Sequence, residues 1–309
     1  MNPTLLDIGG TYIKCADGRV IPIPSAGPRE AIAAALRKAV KIPDQVGNDC
    51  GMVGNDCGMV GNDCGMVGND CGMVGNDCVV MPGADRASCH IGIAIPGPFD
   101  YQNGIFRADH KFAAVKGMSF RELAGLPDDA DVRFIHDVCA VLEGAVRMLG
   151  LSDGNTAIVT LGTGLGFALS EKDQVRYGPT LSPADSIWNL PYGDGILEDV
   201  VSGRGVRAIY AKLGGEATLT ARDIAERAFH GDRDAFEAYE RMGSILGEAI
   251  CPILEKNGVR NLLFAGQIAQ SLSLMEDGLR RHLGGIIRIA MAPDGAVYKG
   301  IETLFETNQ

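Results

Sequence analysis

Asp7-Ile8-Gly9-Gly10-Thr11 and Leu161-Gly162-Thr163-Gly164-Leu165-Gly166 are two glycine-rich turns at matching places in two halves of a 309-residue chain. Each follows an apolar run that reads as a strand, Thr4 to Ile8 and Thr156 to Leu161. Each precedes a second run, Tyr12 to Ala16 and Phe167 to Ser170. Neither is followed by a helix, so neither is a phosphate loop of the strand–loop–helix kind. A glycine hairpin tip still suits phosphate, because its N–H groups can converge on an anion that no Cβ blocks. One such tip is ordinary turn chemistry. Two of them, with Asp in the first and Thr in both, point to a nucleotide held between two related domains.

A chain of this length buries a substantial core and accommodates two domains. Its 46% hydrophobic and 22% charged residues are ordinary for a globular enzyme. The net charge of −11 argues against nucleic acid or an anionic membrane as the main partner. It leaves ATP open, since local N–H groups and Mg2+ can hold phosphate on an acidic protein. No signal peptide is evident before the first strand, and no apolar run reaches membrane-spanning length. Of nine Cys, five lie in a tandem repeat and four, Cys15, Cys89, Cys139 and Cys251, are scattered in apolar segments. They read as reduced thiols, which predicts a cytoplasmic protein.

Residues 46–78 carry the repeat, in which Gly-Asn-Asp-Cys recurs five times within the heptad Gly-Asn-Asp-Cys-Gly-Met-Val. Three readings are open. A helix would keep Cys and Val on one seam, against the cost of two Gly per heptad, about 1 kcal/mol each. Short strands between Gly-Asn-Asp turns would flip faces at each copy. A surface insertion asks least of the sequence and is favoured. The Cys spacing, without a nearby His, is unlike that of zinc sites.

The first half predicts antiparallel strands Thr4–Ile8, Tyr12–Ala16 and Arg19–Pro22, then a helix Arg29–Val40 apolar on one face. Strands Cys89–Ile95 and Val132–Ile135 follow, the second leading into His136-Asp137 and a helix Val138–Leu149. The second half repeats this order. Strands Thr156–Leu161, Phe167–Ser170 and Gln174–Tyr177 come first, then helices Arg222–His230 and Ala235–Lys256. A strand Asn261–Ala265, a helix Ser271–Leu283, a strand Ile286–Ala290 and a last helix near Asp294–Phe305 complete it. The pattern predicts two mixed-sheet α/β domains flanking a cleft.

The motif order is Asp7 to Thr11, then Gly92-Ile-Ala-Ile-Pro-Gly97-Pro98, then Asp137 at a strand end, then Leu161 to Gly166. Together with Pro191-Tyr-Gly-Asp-Gly-Ile-Leu-Glu198 and Phe264-Ala-Gly-Gln267, it resembles the ROK family (repressor, open reading frame, kinase) of sugar kinases. These belong to the actin, hexokinase and Hsp70 superfamily. The resemblance covers nearly the whole chain outside the repeat. It implies two ribonuclease-H-like domains with mixed sheets flanked by helices and a cleft between them. The smaller would span 1–117, interrupted by the repeat and joined by the final helix at 294–309; the larger would span 118–293.

It further implies phosphorylation of a hexose hydroxyl by ATP with Mg2+, at the 6-hydroxyl as in a glucokinase, by a homodimer. Asp137 would be the general base; on its own it reads more readily as a helix-capping residue, and the motif order is what favours catalysis. Asp7 would sit by Mg2+ through water. Gly9, Gly10, Thr11 and Lys14 would face the β- and γ-phosphates, with Gly162, Thr163 and Gly164 as the second clamp. Gly266 would lie against adenosine. Gly97, His136, Asp137, Asp185 and Glu198 would surround the sugar, although Glu198 also reads as a charge in a first helical turn.

The chain departs from the family pattern around that sugar. His136 stands where Asn is usual, and His110-Lys111-Phe112 lies where an Asn-Leu contact is expected. The Glu-x-Gly-His element is missing, with Asp185 nearest to its acid. The three Cys of the family's zinc site are replaced by Asn189, Pro191 and Ile196, so no zinc site is expected. A non-catalytic sugar-binding pseudokinase or sensor of the same fold is the alternative reading.

Overall fold

The computed structural model describes residues 3–40, 90–283 and 287–306. The heptad repeat at 46–78 lies outside the described residues, and so does Cys89.

The first sheet opens with β1 (Thr4–Ile8), β2 (Tyr12–Cys15) and β3 (Val20–Pro22), which pair antiparallel. Helix α1 (Arg29–Val40) follows; Ile32, Ala33, Ala35, Leu36 and Ala39 recur at helical spacing and are all buried. Strand β4 (His90–Ile95) is buried along nearly its whole length, as a parallel strand covered on both faces must be. A small ribbon, β5 (Phe99–Asp100) with β6 (Ile105–Phe106), precedes the short helix α2 (Phe120–Ala124). Strand β7 (Asp131–His136) then pairs parallel with β4, giving the order β3-β2-β1-β4-β7. The first sheet therefore continues past residue 117, where the sequence reading divided the chain. Helix α3 (Asp137–Leu149) leaves β7 directly and ends at Gly150, whose left-handed φ of 63° closes the last turn.

The second sheet repeats the plan. Strands β8 (Asn155–Leu161), β9 (Leu165–Glu171) and β10 (Gln174–Val175) are antiparallel. The third is shorter than expected because Tyr177 bridges to Pro183 instead. A second ribbon, β11 (Pro191–Tyr192) with β12 (Gly195–Ile196), leads to helices α4 (Leu197–Val200), α5 (Gly203–Lys212), α6 (Ala221–Phe229) and α7 (Arg233–Lys256). Thr220 and Asp223 form a reciprocal capping box on α6, and Asp232 caps α7. Strand β13 (Val259–Ala265), helix α8 (Leu272–Arg280) and strand β14 (Arg288–Met291) complete the sheet in the order β10-β9-β8-β13-β14. Helix α9 (Ala296–Glu302) ends the fold.

The two sheets thus share one strand order and one pattern of directions, three antiparallel strands followed by two parallel ones. Each has its own apolar core. A third core gathers Leu5 and Ala94 of one sheet with Ile158 and Leu263 of the other around α3 and α9. Those two helices cross at glycine. A Cβ on Gly144 would overlap the Ala296 carbonyl oxygen, and one on Gly300 the Ala140 carbonyl oxygen.

Candidate functional site

Parallel pairing of β1, β4 and β7 brings their C-terminal ends side by side, where open α/β sheets place ligands. Asp7 lies opposite Ala94, and Ile95 lies opposite His136. Residues distant in sequence, Asp7, Gly97, His136 and Asp137, are thereby set along one edge. Burial, then the charge of Asp137, push the Asp7 carboxyl up to about 6 against the pull of Lys14, its cross-strand partner. Asp137 is the first residue of α3. Burial raises its carboxyl, but the His136 ring, the Val138 N–H and Lys111 outweigh it and hold the carboxyl below the usual range. The Val138 N–H donates to Asp137 Oδ1 at 2.8 Å, and His136 Nδ1 lies 2.9 Å from the same oxygen. The same N–H also reaches His136 Nδ1 at 3.3 Å, so the His136 ring and the Asp137 carboxylate share the cap of α3.

Gly97 faces the other side of His136. A Cβ there would stand 3.6 Å from His136 Nε2 and 3.5 Å from the Tyr101 hydroxyl. That hydroxyl donates to the Ile95 carbonyl at 3.1 Å.

In the first turn the Gly9 N–H is spent within the hairpin, donating to Tyr12 O at 2.9 Å. Gly9 shapes the turn; its N–H does not face phosphate, contrary to expectation. The Gly10 and Thr11 N–H groups have no acceptor among the described residues. In the second turn the Gly162 N–H closes on Gly164 O at 3.1 Å, leaving Thr163 and Gly164 with unspent N–H groups among the described residues. Each turn therefore keeps two available N–H donors of the three its sequence offers.

Glu198 meets the second turn. Its Oε2 accepts from the Leu165 N–H at 2.9 Å, and Oε1 lies 3.1 Å from Arg204. It also lies in the first turn of α4, as a helix-terminal charge would. A Cβ on Gly166 would come within 2.5 Å of Val138 Cγ2, so the second hairpin abuts the residue following Asp137. Gly266, at φ 98°, turns back so tightly that a Cβ would overlap the Leu161 carbonyl. A cleft of about 900 Å³ runs from Lys14 past Gly162 and Thr163 to Gly266, Gln267 and Phe229. Helix α6 forms its far wall through Ala221, Ala225 and Phe229, a contribution that strand and turn motifs gave no means of finding.

Asp185 is not brought to this edge. It faces Arg176 at 3.6 Å, and Arg176 reaches Asn257 at 2.6 Å, beyond the C-terminus of α7. Asn257 also accepts from Asn155 at the start of β8, the end of the strand away from the second turn. The family resemblance puts Asp185 near the sugar; in the structure Arg176 is its partner instead. Two residues of the site were missed, Tyr101 and Lys111. Lys111 lies in the segment that departs from the family pattern, and that departure was the available signal.

Among the described residues no three His, Cys, Asp or Glu side chains converge as a metal cage. Cys15, Cys139 and Cys251 are free thiols. Burial raises the Cys139 thiol, and the nearby Asp137 charge raises it further. No described helix is long and apolar enough to cross a membrane.

No protein-family model matches the chain, and no curated protein matches it by sequence. Solved structures do. A ROK family glucokinase from Streptomyces griseus in complex with glucose and AMPPNP is 18% identical, with a TM-score of 0.68 over 98% of each chain. A ROK hexokinase from Thermus thermophilus is 19% identical, with a TM-score of 0.62 over 97% of this chain and 96% of that one. A ROK family transcriptional regulator, a homolog of the E. coli MLC protein, is 16% identical. Its TM-score is 0.68 over 97% of this chain and 76% of its own. The chain has the two-domain α/β fold of these proteins.

Proposed function

We propose that this protein transfers the γ-phosphoryl group of ATP to a hexose hydroxyl, the 6-hydroxyl, with Asp137 as general base. The observation that carries the reading is the position of Asp137. Its carboxylate is held ionised at the end of β7, and the next residue packs against the second glycine turn. Phosphoryl transfer needs positioning and charge stabilisation more than covalent help from the protein. An ionised Asp meets that need by accepting the hydroxyl proton as the new P–O bond forms. The N–H groups of Gly10 and Thr11 on one side, and of Thr163 and Gly164 on the other, would grip the phosphates. Lys14 adds charge on the nucleotide side, and Gly266 leaves room for the adenosine against backbone. The fold shared with a glucokinase solved with glucose and AMPPNP supports the reading.

Asp7 fits Mg2+. It is a hard oxygen donor, and its carboxyl is raised by burial and Asp137, which a divalent cation nearby would reverse. Mg2+ bound through water at Asp7 would offset phosphate charge. Around the acceptor, Gly97, His136 and Glu198 supply the polar surface. His136 orients Asp137 through Nδ1 and keeps Nε2 toward Gly97.

The test is ADP release over a panel of aldohexoses, ketohexoses and amino sugars at saturating ATP and Mg2+. Turnover with at least one sugar is expected. Absence of turnover with all of them overturns the reading. Sugar binding by calorimetry without turnover would instead leave the non-catalytic pseudokinase or sensor, the role to which the displaced Asp185 lends support.

A further inference from the structure

Lys111 is a cation over the first glycine turn. Its Cδ and Cε each lie 3.5 Å from where a Cβ on Gly10 would stand. The side chain is half-buried, and its charge acts on Asp137 without a close ion pair among the described residues. A cation left unpaired beside N–H groups that also seek an acceptor is a configuration that an anion completes.

The backbone around Lys111 is fixed at several points. The Phe112 N–H donates to Ser25 O at 2.6 Å, and the Ser25 hydroxyl donates to the Gly10 carbonyl. The loop carrying Lys111 and the first turn are therefore tied through one serine. The Ile23 N–H in turn donates to Thr11 O at 2.9 Å, anchoring the approach to Ser25 on the same turn. Phe112 is held at φ 60°, an unfavourable conformation for a residue with a bulky side chain, while its ring is buried at 2% exposure against Phe106. The fold thus accepts backbone strain next to Lys111 and locks it there by packing. Nothing in the apolar core requires a lysine at that point.

From the other side, Lys111 is one of the groups whose charge acts on Asp137. Its stem thus lies over the first glycine turn while its charge reaches Asp137. Lys14, on the strand opposite Asp7, looks toward the nucleotide cleft instead.

We propose that Lys111 is a catalytic residue whose ammonium contacts the phosphoryl group in flight between nucleotide and acceptor. This rests on the kinase reading. In the step, the acceptor oxygen attacks the γ-phosphorus and its proton passes to the Asp137 carboxylate. The new O–P bond forms as the bond from the γ-phosphorus to the β,γ-bridging oxygen breaks, and ADP leaves with that electron pair. Lys111 keeps its proton throughout and neutralises the equatorial oxygens, where charge is spread in the transition state. It holds the place in this chain where an uncharged sugar contact is expected. The site thereby trades a contact to the acceptor for one to the transferring group.

The experiment compares wild type with Lys111→Met, Lys111→Gln and Lys111→Arg. Met keeps the stem over Gly10, and Gln is a second uncharged variant should Met disturb folding. Melting curves confirm that each variant is folded. The uncharged variants should lose about a hundredfold in kcat, with KM for the sugar changed by less than roughly threefold. Arg should recover part of the loss. A second readout needs no turnover: the gain in ADP affinity caused by tetrafluoroaluminate, with Mg2+ present. Wild type should show that gain, and Lys111→Met should lose most of it. An unchanged kcat, or an unchanged tetrafluoroaluminate gain, would overturn the proposal. So would a rise in sugar KM alone, which would assign Lys111 to an anionic group on the acceptor. If wild type transfers no phosphoryl group, the kinase reading fails and this proposal falls with it; an active wild type whose Lys111→Met variant is unaffected overturns this proposal alone.

Discussion

Replacing Gly164 by Ala puts a Cβ 2.9 Å from Oε2 of Glu198. The obstruction is the end of a flexible side chain, so the carboxylate swings aside and the backbone keeps its path. What is lost is the 2.9 Å bond that Glu198 accepts from the Leu165 N–H at the base of the second turn. A hydrogen bond to a charged group contributes about 1.5–3 kcal/mol. If the turn grips phosphate only when so held, kcat/KM for ATP should fall by roughly 10- to 150-fold, at about 1.4 kcal/mol per factor of ten. The assay is a double-mutant cycle in steady-state kinetics with Gly164→Ala, Glu198→Ala and the pair. In the Glu198→Ala background the bond is already gone, so Gly164→Ala should add less than about 0.5 kcal/mol. Full additivity of the two substitutions would refute the reasoning, because it would mean that the alanine acts on the turn without Glu198.

Asp7→Asn should stabilise the nucleotide-free protein at pH 7 while abolishing activity. The Asp7 carboxyl is raised to about 6 in the fold against 3.8 unperturbed, so its proton is bound more tightly folded than unfolded. Its contribution to stability is thus full below pH 3.8 and is lost as pH rises through 6. A shift of this size corresponds to about 3 kcal/mol. Thermal melts of the two proteins should converge near pH 4 and separate by pH 7 in favour of Asn; a lower melting temperature for Asn at pH 7 would contradict the assignment. Gly300→Ala acts on the crossing of α3 and α9, one helical turn beyond Asp137. Its Cβ would lie within 2.6 Å of the Ala140 carbonyl carbon and 2.9 Å of its Cα, and neither can yield without parting α3 from α9. Overpacking of this kind costs about 1–3 kcal/mol, which should lower the melting temperature by several degrees at roughly 2–4 °C per kcal/mol. An unchanged melting temperature would show that the helices do not cross so closely.

Much of the frame was legible because it rests on local patterns. The β1–β2 and β8–β9 hairpins are alternating strands around glycine tips, and α1 is a helix whose apolar residues share one face. The duplicated topology could be inferred from the matching order of elements, and the shared strand order of the two sheets bears it out. Legibility declined where a single long side chain decides the outcome. Asp185 has suitable spacing, but the reach of Arg176 fixes its partner. The family resemblance makes Glu198 a sugar contact; what its side chain meets in the structure is the Leu165 N–H at the base of the second turn. Lys111 became visible only when Ser25 and Phe112 were seen to fold its loop onto Gly10, a tertiary relation with no sequence period. Helix α6 was foreseen as an element, but its place as a cleft wall depends on packing across the second lobe.

The central claim is that Asp137, set between the two glycine turns, accepts the proton of a sugar hydroxyl as ATP is consumed. Single-turnover phosphorylation by Asp137→Asn, with sugar and nucleotide binding measured in parallel by calorimetry, tests it most directly. The account predicts a loss of about 10²- to 10⁴-fold in the transfer step with both ligands still bound. A folded Asp137→Asn protein that phosphorylates the sugar at the wild-type rate would contradict it.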